Sequence, residues 1–231
     1  MILYSIGDSI TWGAELGNKE EERFSRIISN HINAVDCNNA SSGVSNDYIF
    51  RNAIRDIQQW IQTHRIWDES NGWVTSDELK LLIGWTAPTR FEWWDGTKYK
   101  QERLWVKYDK WGINDEARKT EDEFIVHQNE LIPSYIRTFN HIQSMISLCE
   151  LHGIDYYFFN AFYEYENVKE PNTKIDMFGR DTEQLGFDYL NPHMDNMYDY
   201  LKKNSGGFLP RKHPTKESHE MWANYIIKKW L

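Results

Sequence analysis

This sequence is short of cysteine, of positive charge and of long hydrophobic runs, and each shortage excludes a class of protein. Its 231 residues hold two cysteines, Cys37 and Cys149, too few for a disulfide framework and both in apolar patterns typical of buried free thiols. Lys and Arg number 26 against 35 Asp and Glu, for a formal net charge of −9. Because nucleic acids and anionic membranes bind basic surfaces, we expect neither as a partner.

Membrane spans, export signals and cofactor motifs are also missing. No apolar run reaches the roughly 18 residues that a transmembrane helix needs, and no basic segment precedes the apolar Ile2-Leu3-Tyr4, so no signal peptide is visible. We therefore expect the chain in the cytoplasm in which it is made. No His/Cys/Asp cluster has the spacing of a zinc site, and no glycine-rich loop could cradle a phosphate, so we expect no metal and no cofactor. The sequence leaves the oligomeric state open.

Short apolar runs alternate with helical patterns along the chain, which predicts βαβ units and a parallel sheet. We expect one domain over 1–231, a three-layer α/β/α sandwich with a flavodoxin-like sheet of about five strands. Predicted strands lie at Ile2–Ile6, Ala34–Cys37, Asp77–Ile83 and Ile154–Phe159. Predicted helices lie at Glu21–Ile32, Asp47–Ile61, His127–His152, Pro192–Lys203 and Thr215–Leu231.

Two stretches break this alternation. The segment from about 85 to 126 is rich in tryptophan and has no clear period, which favours a long insertion or lid. A second irregular excursion runs from about 163 to 190. Aromatic residues are abundant overall, with 11 Trp, 13 Tyr and 11 Phe, more amphipathic ring surface than an ordinary core requires.

The residues that point to chemistry lie near the two ends of the chain. Gly7-Asp8-Ser9 follows the first predicted strand, where the turn presents a serine hydroxyl at the carboxyl edge of the sheet. Asp8 is predicted to bond the backbone of its own turn. His213-Pro214 precedes the last helix, in a loop suited to hold a general base.

A Gly-Asp-Ser block at the start and a His-Pro block before the last helix resemble the GDSL/SGNH hydrolase family. The resemblance implies a serine nucleophile at Ser9 and a general base at His213. It also implies an oxyanion hole formed by the N–H groups of Ser9 and Gly43, with Thr86 as a third donor. His219, in the same block as His213, is interpreted as structural.

Two positions depart from the family pattern. Thr86 stands where the third block has an asparagine, and Pro210 stands three residues before His213, where the family has the acid of its triad. Either the site is a Ser–His dyad, or another group accepts the imidazole proton. The acceptors considered are a backbone carbonyl within 208–211, Asp195 and Glu217.

The aromatic residues near the predicted site indicate the substrate. We expect Trp12, Trp85, Arg90 and Trp93 to bind substrate at the rim that carries Ser9, although the Trp-rich segment is equally consistent with a lid packed around its own hydrophobic cluster. The predicted function is a serine esterase that hydrolyses a small-molecule or glycan ester through an acyl-enzyme, with O-deacetylation of a carbohydrate favoured. The alternative is a non-catalytic glycan-binding or structural module. Because the family also occurs in viral and microbial gene sets without secretion signals, a virion-associated location stays open.

Overall fold

A computed structural model of the chain describes residues 1–87, 90–94, 96–103, 131–161 and 194–231. The strands within these residues are β1 (Ile2–Gly7), β2 (Val35–Asn38), β3 (Arg65–Asp68), β4 (Gly72–Thr75), β5 (Leu79–Trp85), β6 (Arg90–Trp94), β7 (Tyr99–Arg103), β8 (Asp155–Asn160) and β9 (Asp195–Asn196). Five of them form one parallel sheet in the order β2-β1-β5-β8-β9. The predicted parallel sheet is confirmed.

Helices cover both faces of this sheet. They are α1 (Ser9–Trp12), α2 (Lys19–Glu22), α3 (Phe24–His31), α4 (Asn46–Thr63), α5 (Leu131–His152), α6 (Met197–Lys203) and α7 (Lys216–Trp230). Side-chain caps start the longer ones where the sequence provides them: Ser45 accepts from the N–H of Tyr48 before α4, and Thr215 accepts from that of Ser218 before α7.

Alternate residues of the strands divide the core into two halves, as the period-two geometry of a strand requires. Leu81 and Ile83 of β5 pack with α4 and α5, whereas Leu82 packs with α3, α6 and α7. The three-layer α/β/α fold is therefore confirmed. Cys37 and Cys149 are both buried free thiols in the first half, and burial raises the pKa of each to about 12.

The fifth strand of the sheet is the main difference from the predicted elements. It consists of Asp195 and Asn196 alone, paired with Phe159 and Asn160, and it occupies the start of the segment predicted as the helix Pro192–Lys203. The helix itself begins at Met197, with the Asn196 side chain accepting from the N–H of Asp199 as its cap.

Two antiparallel hairpins lie outside the main sheet, one of β3 and β4 and the other of β6 and β7. The first has no counterpart among the predicted elements. The second lies inside the segment predicted as an irregular insertion, so Arg90–Trp94 and Tyr99–Arg103 of that segment are paired strands. The rest of the insertion from 104 onward, and the excursion at 163–190, lie outside the described residues.

No helix within the described ranges is both long enough and apolar enough to cross a membrane.

Candidate active site

The turn after β1 holds Ser9 at the carboxyl edge of the sheet. Asp8 precedes α1 as its cap, and its Oδ1 accepts from the N–H of Ile10 at 3.0 Å, as the sequence predicted. Glycine is required at Gly7, because a Cβ there would lie 2.3 Å from Thr11 Oγ1 and 2.8 Å from the carbonyl oxygen of Gly84. The absence of that side chain lets α1 pack directly against the strand ends, with Ser9 only 5% exposed.

His213 reaches Ser9 from the other end of the chain. Its Nε2 lies 3.0 Å from Ser9 Oγ. A tight loop presents the ring: Phe208 and Pro214 form a β-bridge, the N–H of Leu209 donates to the His213 carbonyl at 2.7 Å, and the N–H of Lys212 donates to the Leu209 carbonyl at 2.7 Å. The structure thus brings together the two residues that the sequence placed in catalytic roles.

A carboxylate that the sequence reasoning missed lies on the far side of the imidazole. Glu15 Oε2 is 2.7 Å from His213 Nδ1, and the side chains of His213 and Glu15 are 18% and 25% exposed. Glu15 stands six residues after the serine, whereas the acceptors proposed from the sequence lie at the same end of the chain as His213. No spacing signal distinguishes it among the acidic residues of the chain.

Of the acceptors proposed from the sequence, Asp195 has other partners. Asp195 accepts from Tyr157, from Tyr225 at 2.8 Å and from Lys229 at 2.6 Å. Glu217 lies in the first turn of α7, and Pro210 is exposed.

Asp8 lies at the centre of a buried polar cluster beneath the serine. Its Oδ2 accepts from Thr86 Oγ1 at 2.8 Å and from Arg90 Nη1 at 3.1 Å, and Asp8 and Thr86 have no exposed surface. The N–H of Thr86 also donates, to Asn46 Oδ1 at 2.8 Å. Both donors of Thr86 are therefore engaged within the protein, which does not fit its expected role as a third oxyanion donor.

Gly43, the other expected oxyanion donor, lies in the loop that follows β2. This loop is fixed beside the nucleophile turn, because the N–H of Ser41 donates to the Gly7 carbonyl at 3.0 Å. Gly43 has a φ of +78°, in the left-handed region that favours glycine. Its assignment to the oxyanion hole stays a prediction.

Three of the four residues expected to bind substrate have side chains that the structure describes, and they lie in different surroundings. Trp85 is fully buried, with its ring 6.0 Å from that of Phe158 in the core, so its expected place at the rim is wrong. Arg90 is 6% exposed and pairs with Asp8, so it supports the site from beneath. Trp12 is partly buried, with Lys19 Nζ 3.6 Å from its ring centre. Trp93 belongs to β6, and its side chain lies outside the described residues.

His219 has a structural place, consistent with the sequence interpretation. It is 1% exposed, its Nδ1 accepts from the N–H of Phe24 at 3.3 Å, and its ring stacks on that of Phe24. Burial, and secondarily the charge of His213, lowers the pKa of His219 to about 3, so this imidazole is neutral in the folded protein.

Comparison with solved structures identifies the fold. The psychrotrophic esterase EstA from Pseudoalteromonas sp., in a structure inhibited by monoethylphosphonate, matches with a TM-score of 0.50 and 13% identity, over 99% of this chain and 97% of that one. A putative lipolytic protein of the G-D-S-L family from Desulfitobacterium hafniense DCB-2 matches with a TM-score of 0.45 and 13% identity, over 99% and 98% of the two chains. A member of the same family from Veillonella parvula DSM 2008 gives 0.43 and 15%, over 99% and 97%.

No protein-family model matches the sequence, and no curated protein matches it either. The chain is similar in fold to the EstA structure, and at 13% identity the likeness is one of fold alone.

Proposed function

We propose that the protein is a serine esterase in which Ser9 is the nucleophile and His213 the general base. The observation that carries this proposal is the 3.0 Å contact between Ser9 Oγ and His213 Nε2, at the edge where ligands of parallel α/β sheets bind. His213 takes the hydroxyl proton as Oγ attacks the ester carbonyl, and returns it to the departing alcohol. Water then attacks the acyl-enzyme by the same route, with His213 again as base.

Two backbone N–H groups are proposed to hold the oxyanion, those of Ser9 and Gly43. Their nearness is supported by the hydrogen bond between Ser41 and Gly7, which joins the two loops. Donors aimed at the developing charge are worth about 10²–10³ in turnover each. Thr86 is not assigned a donor role, because Asp8 accepts its hydroxyl proton.

The favoured substrate is an O-acetylated carbohydrate. Exposed aromatic rings support this choice: Trp67 and Trp73 face each other across the β3–β4 hairpin, each about half exposed, with ring centres 5.6 Å apart. Asn39, the first residue after β2, donates to the Trp67 carbonyl at 3.0 Å, so the hairpin adjoins the edge of the sheet that carries Ser9. Flat amphipathic rings at such an edge suit a neutral sugar, as does the net negative charge of the chain.

The alternative, a non-catalytic glycan-binding or structural module, depended on two departures from the family pattern, Thr86 in the place of an asparagine and the missing acid at Pro210. A carboxylate does lie at His213 Nδ1, which removes the second of these reasons for preferring it.

Hydrolysis of p-nitrophenyl acetate and acetate release from O-acetylated oligosaccharides test the proposal. We expect wild type to hydrolyse both, Ser9→Ala and His213→Ala to fall to background, and the exposed controls Ser147→Ala and His31→Ala to match wild type. Trp67→Ala should raise KM for the oligosaccharide and leave KM for p-nitrophenyl acetate unchanged. If wild type is no faster than Ser9→Ala on both substrates, the esterase proposal fails. Activity on the small ester alone would contradict the carbohydrate assignment.

A further inference from the structure

We infer that Glu15 is the positioning carboxylate of this site, replacing the acid that Pro210 excludes from its usual place before the histidine. The inference rests on the proposed esterase function and adds a residue to it. A nucleophile and its acid would then come from one short segment of the chain, and only the base from the other end.

Hydrogen-bond chemistry assigns the protons of the imidazole ring. An ionised carboxylate has no proton to give, so at the 2.7 Å contact Nδ1 of His213 is the donor and Glu15 Oε2 the acceptor. In the neutral ring this leaves the lone pair on Nε2, which faces Ser9 Oγ and is ready to accept its proton. Glu15 therefore selects the tautomer that general-base catalysis requires, and its negative charge stabilises the imidazolium that forms when the serine attacks.

The backbone after α1 is bent in a way that delivers Glu15 to the ring. Gly13 ends α1 in the left-handed region with φ +82°, and the N–H of Ala14 donates to the Ser9 carbonyl at 2.9 Å. Glu15 itself has φ +67°, a conformation uncommon for residues with a Cβ. Strained residues of this kind concentrate at functional sites, and here the strain coincides with the contact to His213.

Among the residues that the structure describes, Glu15 is the acceptor that His213 Nδ1 contacts. The Leu209 carbonyl, in the segment proposed as a backbone acceptor, takes the N–H of Lys212. Arg211 Nε lies 4.0 Å from the second oxygen of Glu15, but the Arg211 side chain is 84% exposed, so solvent screens its charge. An ordinary surface ion pair would not place its histidine against a buried serine.

Kinetics of Glu15→Gln test the inference, since glutamine keeps the size of the side chain and removes its charge. In the comparable acid-to-amide change of a well-studied triad, kcat falls about 10⁴-fold with the geometry intact. We expect kcat for p-nitrophenyl acetate to fall by about 10²–10⁴, with KM changed less than about threefold because Glu15 touches His213 and not the ester. Glu21→Gln, which removes an exposed carboxylate from α2, should match wild type.

Proton NMR of the His213 ring provides a readout that a merely structural role would not move. The Nδ1 proton held by Glu15 should give a downfield, exchange-protected signal in wild type and in Ser9→Ala, and the signal should disappear in Glu15→Gln while the melting temperature stays near that of wild type. A Glu15→Gln variant whose kcat remains within about twofold of wild type, while Ser9→Ala is inactive, would overturn the inference and leave the esterase proposal standing. If wild type itself is no faster than Ser9→Ala, the esterase proposal fails and the inference with it.

Discussion

Acid should destabilise this protein through His219, a buried histidine outside the proposed proton transfer. Burial lowers the pKa of His219 from an ordinary 6.5 to about 3 in the folded protein. Between these values the unfolded chain binds a proton that the folded protein does not, so the free energy of unfolding falls as the pH falls through this window. The slope is about 1.4 kcal/mol per pH unit, which amounts to roughly 3 kcal/mol by about pH 4.5.

Urea unfolding followed by tryptophan fluorescence, at several pH values from about 7 to about 4.5, measures this loss. His219→Gln removes the titrating ring and keeps an acceptor for the N–H of Phe24. Its curve of unfolding free energy against pH should therefore be shallower than that of wild type by about 1.4 kcal/mol per unit, even though the variant starts lower because the stacking on Phe24 is lost. The exposed His31→Gln is the control and should keep the wild-type slope. Parallel curves for wild type and His219→Gln would refute the reasoning.

Two further substitutions test the polar and apolar parts of the structure beneath the site. Arg90→Met should lower the free energy of unfolding by about 3–5 kcal/mol, because the buried Asp8 carboxylate loses its cationic partner; urea unfolding measures the loss, and the double variant Asp8→Asn/Arg90→Met should recover part of it. If the free energy of unfolding of the double variant is as low as that of Arg90→Met alone, this account is contradicted. Trp85→Ala should lower the free energy of unfolding by about 3–5 kcal/mol, because Trp85 lies in the core. KM for p-nitrophenyl acetate should stay unchanged in the folded protein. A raised KM at unchanged stability would instead indicate that Trp85 binds substrate.

The main sheet could be predicted from the sequence because two of its inner strands, β1 and β5, are largely apolar and buried on both faces. Leu81, Leu82 and Ile83, for example, form a fully buried apolar run, a pattern typical of an inner strand of a parallel sheet. The edge strand β9 could not be predicted, since two residues, Asp195 and Asn196, show no periodicity. The β3–β4 hairpin was not predicted either. It buries Ile66 but leaves Trp67 and Trp73 about half exposed, so its strands lack the continuous apolar run of the inner strands.

The place of Trp85 was open to prediction and was misjudged. Ending the predicted strand at Ile83 made Trp85 a rim residue. Continuing the period-two pattern of Leu79, Leu81 and Ile83 by one step puts Trp85 on the same inner face, and all four lie in the same half of the core. The strand does extend to Trp85.

The candidate site could also be predicted only in part from the sequence. The pairing of Ser9 with His213 follows from the order of two short motifs, and the geometry brings the two residues together. Glu15 could not be singled out, because its contact with His213 spans 198 positions of sequence. The contact also depends on the left-handed backbone of Glu15 itself, which no local sequence pattern predicts. Thr86 occupies the position of the asparagine in the family's third block, but its hydroxyl donates to Asp8, a partner 78 positions away.

The most direct test of the central claim is whether His213 activates Ser9, measured without any assumption about the substrate. A fluorophosphonate probe reacts with an activated serine hydroxyl, which displaces fluoride and leaves a phosphonylated oxygen that mass spectrometry can locate. We predict a single label on the peptide that contains Ser9, no label in Ser9→Ala, and labelling slowed by at least about 10²-fold in His213→Ala. Labelling of wild type no faster than that of His213→Ala would contradict the claim that this serine and histidine form a catalytic pair.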